Sequence, residues 1–356
     1  MRRYSNILQT VLIALLANAL IIQAAFSIRW QMTLDEAELF YETFLMQTEG
    51  RMPYRDIFAF QMPGPYLIYD ALGFVSGFKD LPLRLIDLGI LAAILTFTFL
   101  FMRRFGKPAA FAAAILFGLK YMQGGASMSL QREYLFLFLI AIAVWINLRG
   151  DLNFKTRLLT GFLFGLAATI KPHAALGLIP MLIFDFAETI KQPQLTPPRA
   201  AARIIAPIAI GFSIPILSVM AWLAVTGALL PFIDMARNYW PLYAQINGHL
   251  EVTDSAARIH FIWTRLLFMD GNWVWLIPAA IGVYWLPQEQ KRPAYFLASL
   301  AACYAIYPAF SGQFFTYHYL PFVYFIVLMA ALSLAAAKPA WKNIALLVLF
   351  SVILIN

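Results

Sequence analysis

Cysteine and charge are what this sequence has least of. Its one cysteine, Cys303, sits inside an apolar run, which excludes a disulfide framework and any cysteine-based metal site. Charged residues make up 12% of the chain and hydrophobic residues 62%, against about 25% and about 45–50% in soluble domains. Water is therefore not the solvent for most of this surface. Also missing are a P-loop, a glycine-rich dinucleotide turn, a His-Glu-x-x-His helix and a Gly-x-Ser-x-Gly elbow, so nucleotide-driven transport and the common hydrolase chemistries lose support. Acids are almost absent from the middles of the apolar runs, which speaks against an ion relay through a bilayer. The net charge is +8, but the Lys and Arg residues fall in short clusters between apolar runs instead of along one stripe. Membrane topology explains them better than nucleic acid does.

What is present is a series of apolar runs, at 7–28, 82–102, 108–124, 133–148, 157–170, 173–190, 203–226, 272–287, 293–310, 318–337 and 340–356. About twenty apolar residues cross a bilayer as a helix. The expected fold class is thus an all-α polytopic membrane protein of about eleven transmembrane helices, with residues 1–356 forming one transmembrane domain. Arg2-Arg3 before the first run resembles a signal peptide, yet the run is too long for an h-region and lacks a small-x-small site before Arg29, so it reads as a retained first helix. The stretch 157–190, interrupted by Lys171-Pro172, is either a tight helical hairpin or a broken helix.

With a cytoplasmic N-terminus, alternate connections collect fifteen of the 26 basic residues and only four acids, Asp151, Asp185, Glu188 and Glu289, which satisfies the positive-inside rule. Two exterior segments, 29–81 and about 227–271, exceed simple turns. In the first, Asp35 to Glu49 carries Leu39, Phe40, Phe44 and Leu45 against Glu36, Glu38 and Glu42, the pattern of an amphipathic interfacial helix. Gly50 ends it, and Pro53, Pro63, Gly64 and Pro65 are expected to force turns before a second apolar stretch, 66–78.

The chemically capable residues cluster at span ends on the expected exterior face. Asp35-Glu36 follow the first span; they either cap the next helix, with Thr33 or Asp35 as N-cap, or supply a general base. Arg55-Asp56 read more readily as a local ion pair than as a substrate contact. Arg132-Glu133 open a span, where an acid suits the helix dipole. Lys171-Pro172-His173 place a lysine against the charge rule beside the free N–H groups of a new helix, a combination that suits a phosphate, with a snorkelling lysine as the equal alternative. Tyr317-His318-Tyr319 place a histidine at another span entrance, where a buried hydrogen-bonded histidine is the plainer reading. His249 and His260 lie in the second exterior segment and carry little by themselves.

Taken in order, the exterior Asp-Glu, the stretch Gly50-Arg51-Met52-Pro53-Tyr54-Arg55-Asp56, the Pro63-Gly64-Pro65 turn, Gln131-Arg132-Glu133, Lys171-Pro172-His173 and Tyr317-His318-Tyr319-Leu320-Pro321 resemble the GT-C glycosyltransferases. The likeness is to the bacterial branch similar to protein O-mannosyltransferases and the aminoarabinose lipid A transferase. It covers nearly the whole chain in motif order, although each motif is short. The resemblance implies a GT-C-like bundle in a bacterial inner membrane, with a periplasmic active site and a periplasmic C-terminus. It further implies a polyprenyl-phosphate-linked sugar as donor and a lipid, glycan or protein hydroxyl as acceptor, with inversion at the sugar. Asp35 would be the base with Glu36 beside it. Lys171, Arg132, His318 and His173 would bind the donor phosphate; Arg55, Asp56, Glu133 and Tyr317 would position substrate. A divalent cation, Mg or Mn, stays open as a cofactor: Asp35 and Glu133 would hold it, and two acids are few for a tight site. Two other classes stand beside this one. A flippase or transporter of lipid-linked saccharides would need polar residues along a mid-bilayer path, and a non-catalytic subunit of an envelope polysaccharide assembly system would need no converging polar site.

Overall fold

Apolar patterning and a few strong breakers produce an almost wholly helical chain. The computed structural model describes residues 2–192, 194–248, 254–312, 314–336 and 341–355, and no strand occurs among them; His249, Gln313 and Lys338 lie outside the described residues. The helices are α1 (Arg2–Ser27), α2 (Leu34–Glu49), α3 (Pro63–Ser76), α4 (Asp80–Met102), α5 (Lys107–Gln123), α6 (Arg132–Arg149), α7 (Phe154–Ile170) and α8 (Leu178–Thr189). They continue as α9 (Pro197–Val225), α10 (Leu229–Gly248), α11 (Ser255–Phe268), α12 (Asn272–Tyr284), α13 (Gln288–Ser311), α14 (Leu320–Ala331), α15 (Ser333–Ala336) and α16 (Lys342–Ile355).

Each apolar run of the sequence is helical over most of its described residues, and the helical-hairpin alternative holds for 157–190: α7 stops at Ile170, Pro172 opens a 3-10 turn, Pro172–Gly177, and α8 runs back so that Asp185 and Thr189 near its end bond Arg157 near the start of α7. Five helical stretches are long and apolar enough to cross a membrane, Ile7–Ser27, Asp80–Phe105, Pro197–Val225, Gln288–Phe310 and Thr316–Ala336, and α11 with α12 would make a sixth across a 74° bend. The chain is thus a multi-pass membrane protein by helix length and composition. Eleven crossings are not shown by that measure. At about 1.5 Å per residue, a helix of 12 to 17 residues such as α5, α7, α8, α12 or α16 falls short of a hydrocarbon core about 30 Å thick.

Two local expectations change. Pro63-Gly64-Pro65 form the first turn of α3 instead of a loop, because proline's fixed φ suits the first helical positions. The segment 227–271 is mostly helical as α10 and α11.

Helices α5, α6 and α14 form the interior; every residue of α14 is buried. The closest packing joins α7 to α9. A Cβ at Gly161 would collide with the Ile208 carbonyl, one at Gly165 with that of Phe212, and one at Gly211 with that of Leu158. Small residues at these three places let the two backbones touch, the usual way apolar helices associate where no hydrophobic gain separates protein from lipid.

Contacts define two ends of the bundle. At one, the Met32 N–H donates to Asp80 at 3.1 Å, Gln123 donates to the Ile353 carbonyl at 2.6 Å, and Arg55 donates to the Thr226 carbonyl at 2.6 Å. At the other, the chain segments around Arg104, Gly150, Glu188 and Glu289 border one cavity.

Candidate functional site

The first turn of α2 and the first turn of α6 meet at the first end. Asp35 receives a 2.5 Å charge-assisted bond from Arg132 Nη2, and the Tyr317 hydroxyl donates to the same carboxylate oxygen at 3.1 Å. The Asp35 side chain is 26% exposed, whereas Arg132 is 6% exposed, so the acid faces open space and the cation sits behind it. The next residue, Glu133, is fully buried. Its Oε1 is ion-paired with Lys171, accepts from the Tyr307 hydroxyl at 2.7 Å, and lies 3.4 Å from His318 Nε2. Consecutive positions on a helix point about 100° apart, which is how Arg132 and Glu133 serve two different partners. His173 packs 5.5 Å from the Tyr307 ring, and His318 meets Tyr317 edge-on at 4.7 Å.

Asp35, Arg132, Lys171, His173 and Tyr317 line a cavity of about 360 Å³ together with Phe60, Trp240 and Tyr243, whereas Glu133 and His318, expected as substrate contacts, are fully buried and do not border it. Trp240 donates its indole N–H to the Phe60 carbonyl at 2.7 Å, so α10 is fastened over the opening. Pro172, His173 and Phe310 are shared with an apolar groove of about 320 Å³ that runs on past Ala175, Leu176 and Ile179.

Backbone strain lies next to both acidic positions. Leu34, just before Asp35, has φ 50°, and Leu130, two residues before Arg132, has φ 47°; a branched side chain in the left-handed region is uncommon and is kept where its surroundings hold it. The Leu130 peptide is held on both sides. Asp87 accepts its N–H at 3.1 Å and the Tyr69 hydroxyl donates to its carbonyl. Asp87 is in turn bonded by Tyr121 at 2.5 Å and by Arg84 at 2.6 Å. Arg84 and Asp87 were missed by sequence reasoning, although an Arg and an Asp three apart within an apolar run of α4 are the signal that ionisable residues there have a partner or a task.

Several expected site residues are elsewhere. Glu36 does not stand beside Asp35: it is 3% exposed, turned into the protein, and accepts from Ser129 at 3.3 Å. Burial, reinforced by the charge of Asp87, pushes its carboxyl up to about 8. Arg55 and Asp56 do not line the cavity either. They pair with each other at 2.6 Å, and Asp56 accepts the Met52 N–H at 2.8 Å, so they pin the 52–57 turn to the end of α9. The hydrogen bond from Arg55 holds Asp56 down at about 2. His260 lies on α11 within 3.5 Å of Thr264, away from these groups.

Among the described residues no group of three or more His, Cys, Asp or Glu side chains is placed to hold a metal. Asp35 and Glu133 each already face a cation, so this pair does not fit a divalent cation. Comparison with protein-family models, with curated proteins and with solved structures finds no match.

Proposed function

We propose that this chain is a membrane glycosyltransferase of the GT-C type, moving a sugar from a polyprenyl phosphate to an acceptor hydroxyl at the end where Asp35 lies. The observation that carries the reading is the continuity of a charged cavity with an apolar groove: Asp35, Arg132 and Lys171 border the one, and Pro172, His173 and Phe310 join it to the other. A lipid-linked sugar has those two parts. Its prenyl chain fits the groove, its phosphate meets Arg132, Lys171 and His173, and its sugar faces the rings of Trp240, Tyr243 and Phe60, as apolar sugar faces favour aromatic walls.

In this reading the acceptor oxygen attacks the anomeric carbon from the side opposite the phosphate. Asp35 takes the acceptor's proton, the carbon–oxygen bond to phosphate breaks, and the phosphate leaves with the electron pair and with inversion at carbon. Arg132 now bonds Asp35; an arriving phosphate competes for that guanidinium and loosens its hold on the carboxylate. Lys171 and His173 stabilise charge as it develops on the leaving phosphate. Glu133 keeps Lys171 and His318 in place from behind, which makes it a positioning residue. A second cavity of about 430 Å³ shares Leu34, Phe315 and Tyr317 with the first and offers the acceptor its own approach.

The same reading takes all eleven apolar helices as crossings or partial crossings, with the short ones covered by their neighbours. Arg2 and Arg3 would be cytoplasmic and the Asp35 end exterior, in a bacterial inner membrane. A reporter fused after Arg104 should then behave as cytoplasmic, and an exterior result overturns the sidedness. The activity is tested by reconstitution with radiolabelled polyprenyl-phosphate sugars, comparing the wild type with Asp35→Asn. Full transfer by the variant at matched expression removes Asp35 as base; no transfer by the wild type from any such donor removes the reading itself.

A further inference from the structure

A cavity of about 590 Å³ is at the opposite end of the bundle from Asp35, between the ends of α6, α7, α8 and α13. Its charged lining is Arg104, Arg157, Asp185, Glu188, Glu289 and Arg292. Four of these six are committed to partners. Arg157 and Asp185 bond each other, and Glu188 serves Arg292 and Lys191. Arg104 and Glu289 are exposed, and neither has an ion-pair partner among the described residues. A cation and a carboxylate that border one cavity without meeting each other are matched to a ligand carrying both opposite charges.

The position adds a second constraint. This end gathers the connections between α4 and α5, α6 and α7, α8 and α9, and α12 and α13, so it lies where long apolar helices stop, at the level of lipid headgroups. Basic pockets between transmembrane helices at this level take anionic phospholipid headgroups; this lining is balanced instead, three arginines against three carboxylates. Here the free carboxylate makes a purely anionic headgroup a poor match. A quaternary ammonium is poor as well, since it has no N–H to donate to Glu289. Phe105, Phe184 and Phe296 border the same space and supply an apolar wall for the first methylenes of an acyl chain.

We infer that this cavity binds the headgroup of an aminophospholipid, its phosphate on Arg104 and its primary ammonium on Glu289. The inference is independent of any transfer activity at the other end. The test is native mass spectrometry of the delipidated full chain with phosphatidylethanolamine, phosphatidylglycerol or phosphatidylcholine added singly. The expected result is retention of phosphatidylethanolamine about threefold to tenfold above the other two, the scale of one or two charge-assisted bonds at a half-exposed site. Arg104→Gln and Glu289→Gln, both at exposed positions, should each bring it down to the phosphatidylcholine level while the protein elutes unchanged on size exclusion. Equal retention of all three lipids, a preference for phosphatidylglycerol, or indifference to both substitutions overturns the proposal. Displacement of the lipid by millimolar O-phosphoethanolamine, together with thermal stabilisation by that compound alone, assigns the cavity to a water-soluble aminoalkyl phosphate and overturns the lipid assignment.

Discussion

At one end of the bundle Arg157 meets Asp185 through two bonds of 2.8 and 2.7 Å, and Thr189 closes the ring by accepting from Arg157 at 2.9 Å and donating to Asp185 at 3.0 Å. At the other end Arg132 meets Asp35 by one contact, and the Nε of Arg132 and the Oε2 of Glu133 have no hydrogen-bond partner among the described residues. Both arrangements take charge out of water, yet only the second leaves buried polar atoms without a hydrogen-bond partner among the described residues. A buried pair whose donors and acceptors are satisfied ties α7 to α8 and has little left to offer a ligand. Unsatisfied buried polar atoms are costly to keep, and here they belong to residues at and directly behind a cavity wall.

The sharpest way to break this contrast is to remove one acid from each end. Asp35→Asn should lower sugar transfer by about 10²–10⁴-fold, the range for loss of a general base, with little change in thermal unfolding. Asp185→Ala should do the reverse: stranding Arg157 costs about 3–5 kcal/mol, read as a lower unfolding midpoint, while transfer per folded molecule holds. If both variants lose stability alike, the two ends do not differ in kind. Tyr317→Phe keeps the ring and removes its 3.1 Å bond to Asp35; a loss worth about 1 kcal/mol predicts a fall in transfer of roughly fivefold, and unchanged kinetics would show that Asp35 is held by Arg132 alone.

A further expected effect is on pH dependence. Burial raises Glu36 from 4.5 to about 8 and Glu42, aided by the charge of Glu38, likewise to about 8. Each carboxyl binds its proton more tightly folded than unfolded, so its contribution is full below about 4.5 and is lost as pH rises to about 8. The wild type should therefore unfold more easily as pH climbs through that window, and Glu36→Gln combined with Glu42→Gln should flatten the curve. A slope unchanged in the double variant would place the titration elsewhere.

Much of the scaffold was legible because its signals are local. Runs of apolar residues, the Lys171-Pro172 break and the basic clusters between runs mark helices one by one. The meeting of Asp35 with Arg132, and of Glu133 with Lys171 and His318, was expected only as a matter of level along the bundle, and the structure adds the pairing. Glu36 was misplaced because adjacency in sequence says nothing about direction on a helix: one residue's rotation turns it from the cavity to Ser129. Tyr307, Trp240 and Tyr243 were not singled out as site residues, since aromatics are common throughout a chain with 31 Phe, 16 Tyr and 9 Trp residues.

By itself, then, the sequence determined that the chain is helical, lipid-embedded and poor in charge, because hydropathy and helix breakers act over a few residues. Only the tertiary structure decided which of the few charges pair with which, and which of them border a cavity. That depends on contacts such as Asp87 with Leu130 and Glu133 with Lys171, made between residues 43 and 38 positions apart. In a low-dielectric interior each polar group must find a partner across such gaps, and no local pattern encodes which one it finds.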